Sequence, residues 1–207
     1  MNTTTPFLTI DPVVSNRLLD VFNALDGGNW KKLIENNDDL LIRLLSQGVT
    51  DPKDRKSMQW DDSNLFFISC IDLTKGGRPS PLETGISKEK FGRFPYGGGS
   101  SITYLRDWMR DSRRDTEQLG EMSDLLEKLT TRMSGTSMEK GVGRMEMLGW
   151  LTNGETTILR KAMTSRCWTP SADEPLDGGC QDAAKHLLAH LRAAEKRDCG
   201  VLLRIHN

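Results

Sequence analysis

The longest regular alternation of apolar and polar positions runs from Ser100 to Leu151, and it predicts two or three consecutive amphipathic helices. Behind Ser100 and Ser101 as capping residues, Ile102, Leu105, Trp108 and Met109 recur at steps of three and four, the spacing of one helix face. From Asp115 as a second cap, Leu119, Met122, Leu125, Leu126, Leu129 and Met133 form a longer stripe. Glu117, Glu121, Asp124 and Lys128 occupy its opposite face. Gly135 ends that run. Ser137 then opens a third helical segment through Met138, Val142, Met145, Leu148 and Leu151, weakened by Gly141 and Gly143.

The same periodicity predicts short helices toward the N-terminus. Residues 1–10 read as a loose arm. Asp11–Pro12 is a start signal, with Val14, Leu18, Val21, Phe22 and Leu25 inward and Gly27–Gly28 as the stop. Trp30, Leu33 and Ile34 mark a second helix, and a third, opened by Asp38 or Asp39, turns Leu41, Leu44 and Leu45 inward. Leu65 to Leu73 is a dense apolar run of strand length, with a short core helix as its alternative. Helices are expected over 155–165 and 181–196, and a terminal strand over 201–205 that pairs with 65–73. The predicted fold class is mainly α, a helical bundle with a minor β element at 65–73 and 201–205. Residues 11–207 form one domain with a long Gly/Pro loop at 75–100. The alternative is an 11–135 bundle followed by a 136–207 subdomain.

Charge and composition narrow the function classes. The 28 basic and 29 acidic side chains leave a net charge of −1, which argues against a generic polyanion binder. No apolar run approaches the roughly 18 residues that span a bilayer, and no signal peptide is visible, so no membrane partner and no secretion are expected. Four cysteines in 207 residues do not make a disulfide scaffold and fit a cytoplasmic or nuclear setting. Nine methionines fill cores and also suit adaptable contact surfaces.

The glycine clusters do not match a phosphate-binding loop, and neither a GxSxG elbow nor HExxH occurs. Five of the seven Cys and His residues lie between Cys167 and Cys199. His186 and His190 are one helical turn apart, and Cys167 and Cys180 precede them, which makes a candidate Cys2His2 zinc set. Zinc is thus the one candidate cofactor, although twelve residues separate the two cysteines where structural sites use two to four. A second candidate surface interleaves basic and aromatic residues: Lys75, Arg78, Lys90, Arg93 and Tyr96, with Arg110, Arg113 and Arg114 at one helix end. That chemistry binds single-stranded nucleic acid by charge and stacking.

Two segments carry a family resemblance. Arg17 to Ile34, RLLDVFNALDGGNWKKLI, holds a helix, a short turn, and a helix opening with tryptophan, basic residues and leucine. Ser100 to Leu129 contains SSITYLRDW, whose Trp follows an acidic residue, and LGEMSDLLEKL. They resemble the first, second, fourth and fifth helices of the death-domain superfamily, Toll-pathway adaptor and kinase type, over about a third of the chain. The resemblance implies Trp30 and Trp108 as core tryptophans, with Leu18, Leu33, Leu105, Leu125 and Leu126 as core positions. The expected function is a non-enzymatic protein–protein interaction or assembly module, with a protein partner or self-association. The alternatives are a nucleic-acid-associated structural or viral accessory protein, and a zinc-dependent enzyme using the Cys/His cluster.

Overall fold

Leu202 and Leu203 are neighbours in sequence and both fully buried, yet they belong to two different cores. A strand alternates its side chains between the two faces of a sheet, so both faces here must be covered. The computed structural model describes residues 7–74, 80–82, 91–96, 99–112, 116–165 and 167–206. In chain order its elements are β1 (Phe7–Val13), α1 (Ser15–Asp26), α2 (Trp30–Glu35), α3 (Asp38–Ser46), α4 (Asp62–Cys70), α5 (Ser101–Trp108), β2 (Met109–Asp111), α6 (Thr116–Thr131), β3 (Lys140–Gly141), β4 (Met145–Leu151), α7 (Asn153–Thr164), β5 (Trp168–Pro170), α8 (Gly179–Lys196) and β6 (Gly200–His206).

The main sheet is antiparallel, with strand order β1-β6-β4-β3; β2 and β5 form a separate pair. Helices α1 to α4 cover one face, packing on Val13, Met147, Trp150 and Leu202. Helices α5 to α8 cover the other, packing on Leu8, Ile10, Leu151, Val201 and Leu203. The chain is therefore an α/β mix, 52% helical and 16% strand, and not the mainly helical bundle that the amphipathic stripes predict. The two segments of the death-domain resemblance are helical, but α1–α2 and α5–α6 lie on opposite faces of the sheet. Among the described residues no helix is long and apolar enough to cross a membrane.

Four local expectations are corrected. The first is the 65–73 run, whose described core is helix α4 and not a strand. Asp61 caps it, Oδ1 accepting from the Asn64 N–H at 2.8 Å, and the helix is buried on most sides between α1, α3 and the sheet. A helix wrapped in core is apolar all round and loses its 3.6-residue signature. The second is the helix predicted from Ser137 to Leu151, which is a β-hairpin. Gly143 (φ 83°) and Arg144 (φ 61°) take left-handed backbone in the connection, the geometry of tight hairpins.

The third is Asp11–Pro12, which lies within β1 rather than starting a helix. The Asp11 carboxylate pairs with the Arg204 guanidinium across the strands, their side chains only 10% and 12% exposed. Pro12 is tolerated because β1 is an edge strand; its carbonyl accepts from the Asp72 N–H at 2.9 Å. Residues 7–10, read as part of a loose arm, belong to the same strand. The fourth is β6, a strand as predicted, which pairs with β1 and β4 and not with 65–73.

One position shows how tightly a helix layer meets the sheet. A Cβ at Gly149 would lie 2.1 Å from the Lys128 carbonyl oxygen and 2.6 Å from that of Leu129. The C-terminal end of α6 therefore crosses directly over β4 where the strand bulges between Met147 and Gly149. The Leu148 carbonyl freed by the bulge accepts from the Met133 N–H at 3.0 Å.

Candidate functional site

Helix α3 is apolar on two sides. The Asn37 side chain caps it, accepting from the Leu40 N–H at 2.9 Å, and Asp38 and Asp39 favour its positive end. Leu40 and Leu44 are fully buried, while Ile42 is 65% and Leu45 52% exposed. Residues three apart share a helix face, so Ile42 and Leu45 form one outward aliphatic pair. Leu45 was expected to face inward and does not. Arg43 locks the helix in this orientation: its Nε donates to the Ile68 carbonyl at 2.6 Å and its Nη2 to that of Ile71. Burial, with Arg17 nearby, lowers the Arg43 pKa from its ordinary value. Those two carbonyls lie at the end of α4, where helix carbonyls lack partners.

A concave cleft of about 450 Å³ opens beside this layer, between the end of α1, the start of α2 and the 51–57 loop. Its rim carries Lys31, Lys53, Arg55 and Lys56.

The candidate zinc residues do not converge. Cys167 follows α7 and is buried, its thiol against the Ala162 carbonyl at 3.5 Å. Cys180 is buried in the first turn of α8, and its N–H donates to Glu174 Oε2 at 3.0 Å. Burial, then the adjacent Glu174, pushes the Cys180 thiol up to about 12. His186 Nδ1 lies 2.7 Å from the Asp182 carbonyl oxygen and His190 Nδ1 lies 2.9 Å from that of His186. Since a carbonyl only accepts, both rings carry the proton on Nδ1. His190 also packs on Phe91, with ring centroids 4.9 Å apart. Among the described residues no three His, Cys, Asp or Glu side chains are grouped so as to hold a metal ion.

The chain matches no family model, no curated protein and no solved structure.

Of the basic and aromatic surface, Lys75, Arg78, Lys90, Arg113 and Arg114 lie outside the described residues. Arg93 is exposed. Tyr96 is half-buried against Tyr104 and Trp108, at 4.8 and 6.3 Å between centroids, and Phe91 and Phe94 are buried. The aromatics of this stretch therefore pack into the core rather than offering a stacking face. Arg110 is exposed, and its Nη1 donates to the Asp107 and Met109 carbonyls at 2.7 and 2.8 Å. Trp30, Leu105, Leu125 and Leu126 are buried, with Leu33 and Trp108 half-buried.

Sequence reasoning missed the contact that fixes the 171–180 loop. The Tyr104 hydroxyl lies 3.3 Å from Glu174 Oε2 and 3.2 Å from the Leu176 N–H. A Cβ at Gly179 would sit 2.5 Å from that hydroxyl oxygen, so the paired glycines 178–179 were the available signal.

Proposed function

We propose that this chain is a non-enzymatic interaction and assembly module that associates with a second copy of itself through the outer face of α3. The observation that carries this reading is the pair Ile42 and Leu45, held outward on a helix whose opposite face is already packed. Burying such a side chain is worth about 1.5–3 kcal/mol, so the pair supplies enough to decide a modest association. The test is sedimentation velocity on the wild-type chain and an Ile42→Asp/Leu45→Asp variant, from micromolar to millimolar concentration. The wild type is expected to rise above its 23.2 kDa monomer mass. The variant is expected to stay monomeric with an unchanged Tm, which corresponds to a loss of at least about a hundredfold in affinity. A wild type that is monomeric throughout, or a variant that associates equally well, sinks the reading.

A nucleic-acid-associated role is the second reading, favoured by the basic rim of the cleft. Binding of RNA that weakens steeply with salt supports it, and salt-independent or absent binding counts against it.

A further inference from the structure

The cleft between α1, α2 and the 51–57 loop concentrates basic charge, part of which makes no ion pair among the described residues. Its lining holds four basic side chains, Lys31, Lys53, Arg55 and Lys56, against two acidic ones, Asp54 and Asp62. That is a local excess of two positive charges in a chain whose net charge is −1. Both carboxylates are already engaged. Asp62 Oδ1 accepts from Arg55 Nε at 2.9 Å and from its Nη2 at 2.5 Å. Asp54 Oδ1 accepts from the Lys56 backbone N–H at 3.1 Å, within its own loop. Among the described residues Lys31 pairs with the exposed Glu35, at 3.9 Å. Among the described residues Lys53 and Lys56 make no ion pair.

The loop that presents these lysines is rigidly held. The buried Trp30 indole N–H donates to the Pro52 carbonyl at 2.8 Å. Val49 N–H donates to the Leu44 carbonyl at 3.0 Å, and Asp54 and Ser57 close successive turns onto Asp51 and Asp54 at 3.2 Å each. Asp51 holds left-handed backbone at φ 48°. Charges fixed on an ordered loop around a concavity cost little further ordering when a ligand arrives. A volume of about 450 Å³ lies within the usual range of small-molecule sites. The ligand such a site recognises must bring several negatively charged oxygens at once, because the cations sit on more than one side of it. A phosphate does so, with about −1.5 to −2 charge and three strong acceptors, and lysine binds it as a point charge.

We propose that this cleft is a binding site for a phosphate-bearing ligand, with Lys53 and Lys56 making the principal contacts and Lys31 and Arg55 completing the rim. The site is independent of association through α3. The phosphate can come from a small phosphorylated compound or from the backbone of a single-stranded nucleic acid, and the two sources are separable.

The experiment is an amide NMR titration of the full chain with sodium pyrophosphate and, separately, with a short oligouridylate. Both are repeated on Lys53→Glu/Lys56→Glu. At least one of the two probes is expected to move the 51–57 amides and the Trp30 indole N–H in a saturable way, and the variant is expected to bind that probe at least tenfold more weakly. Both lysines are exposed, so the variant is expected to keep the wild-type Tm, and its unperturbed spectrum elsewhere checks that it is folded. Pyrophosphate binding without oligouridylate binding assigns a small phosphorylated compound and removes the nucleic-acid reading while leaving the site in place. Oligouridylate binding at the same amides, weakening with salt, assigns a nucleic-acid backbone. No saturable shift with either probe, shifts spread over lysines across the surface, or unchanged affinity in the variant overturns the proposal.

Discussion

Glu155 joins a helix cap to a sheet. Its side chain completes the capping box of α7, accepting from the Thr152 N–H at 2.9 Å while the Thr152 hydroxyl accepts from the Glu155 N–H. The same carboxylate takes Arg132 at 2.9 Å and Lys128 at 3.3 Å, and the Arg132 guanidinium lies 3.7 Å over the Trp150 ring. Burial works to raise its pKa, but the Thr152 N–H and Arg132 outweigh burial and hold it below the ordinary 4.5. A carboxyl lowered on folding adds stability that is fully present above its unfolded pKa and is lost as the pH falls through the folded one. Glu155→Gln should therefore cost about 1–2 kcal/mol at pH 7. Urea midpoints of wild type and variant should converge as the pH drops below about 4.5, the unshifted value. A gap that persists unchanged into acid would assign the loss to shape rather than charge.

Gly149 makes the corresponding case for an element. Because α6 crosses β4 with no room for a side chain, Gly149→Ala must push the helix off the strand or flatten the bulge. Overpacking of that kind costs about 1–3 kcal/mol, and with backbone rather than a flexible side chain in the way the upper end is expected, read as a fall in the urea midpoint at constant m. The sequence showed the helices whose one face is wet: α1, α2, α3, α5, α6, α7 and α8 all lie on stripes visible in the pattern. It hid the elements that are largely enclosed. Helix α4 and strand β4 bury apolar side chains on more than one face, and their few polar positions, Asp62 and Asn64 in α4 and Glu146 in β4, do not mark a period that identifies them. Local chemistry did mark both, in Asp61 as the α4 cap and in the Gly-Val-Gly-Arg turn before β4. Of the candidate site, Ile42 was legible only as apolar, and Leu45 pointed the wrong way, because α3 carries more apolar positions than one buried face can use. The basic cleft was not legible at all: Lys31 and the Lys53–Lys56 stretch are brought together by contacts such as Trp30 to Pro52, across 22 residues.

At the scale of the whole molecule, two cores share one sheet, and each contains buried thiols: Cys70 among α1–α4, and Cys167, Cys180 and Cys199 among α5–α8. Burial raises the thiol pKa of Cys70, Cys180 and Cys199, so all three should resist a thiol reagent in the native protein. Since β6 contributes Leu202 to one core and Leu203 to the other, neither core should survive loss of the other. Labelling of Cys70 and Cys180, followed by mass spectrometry across a urea series, should share one midpoint; two midpoints would divide the chain into separately unfolding halves. The sheet order β1-β6-β4-β3 also has a consequence for synthesis. The ribosome makes β1 and β4 first and the strand that stands between them last. Until β6 clears the exit tunnel, the nascent chain carries β1 and the β3–β4 hairpin, each without its β6 neighbour, and two half-covered cores. A chaperone that shields apolar strand edges would have its longest engagement with this polypeptide in that interval, and release would be timed by the emergence of residues 200–206.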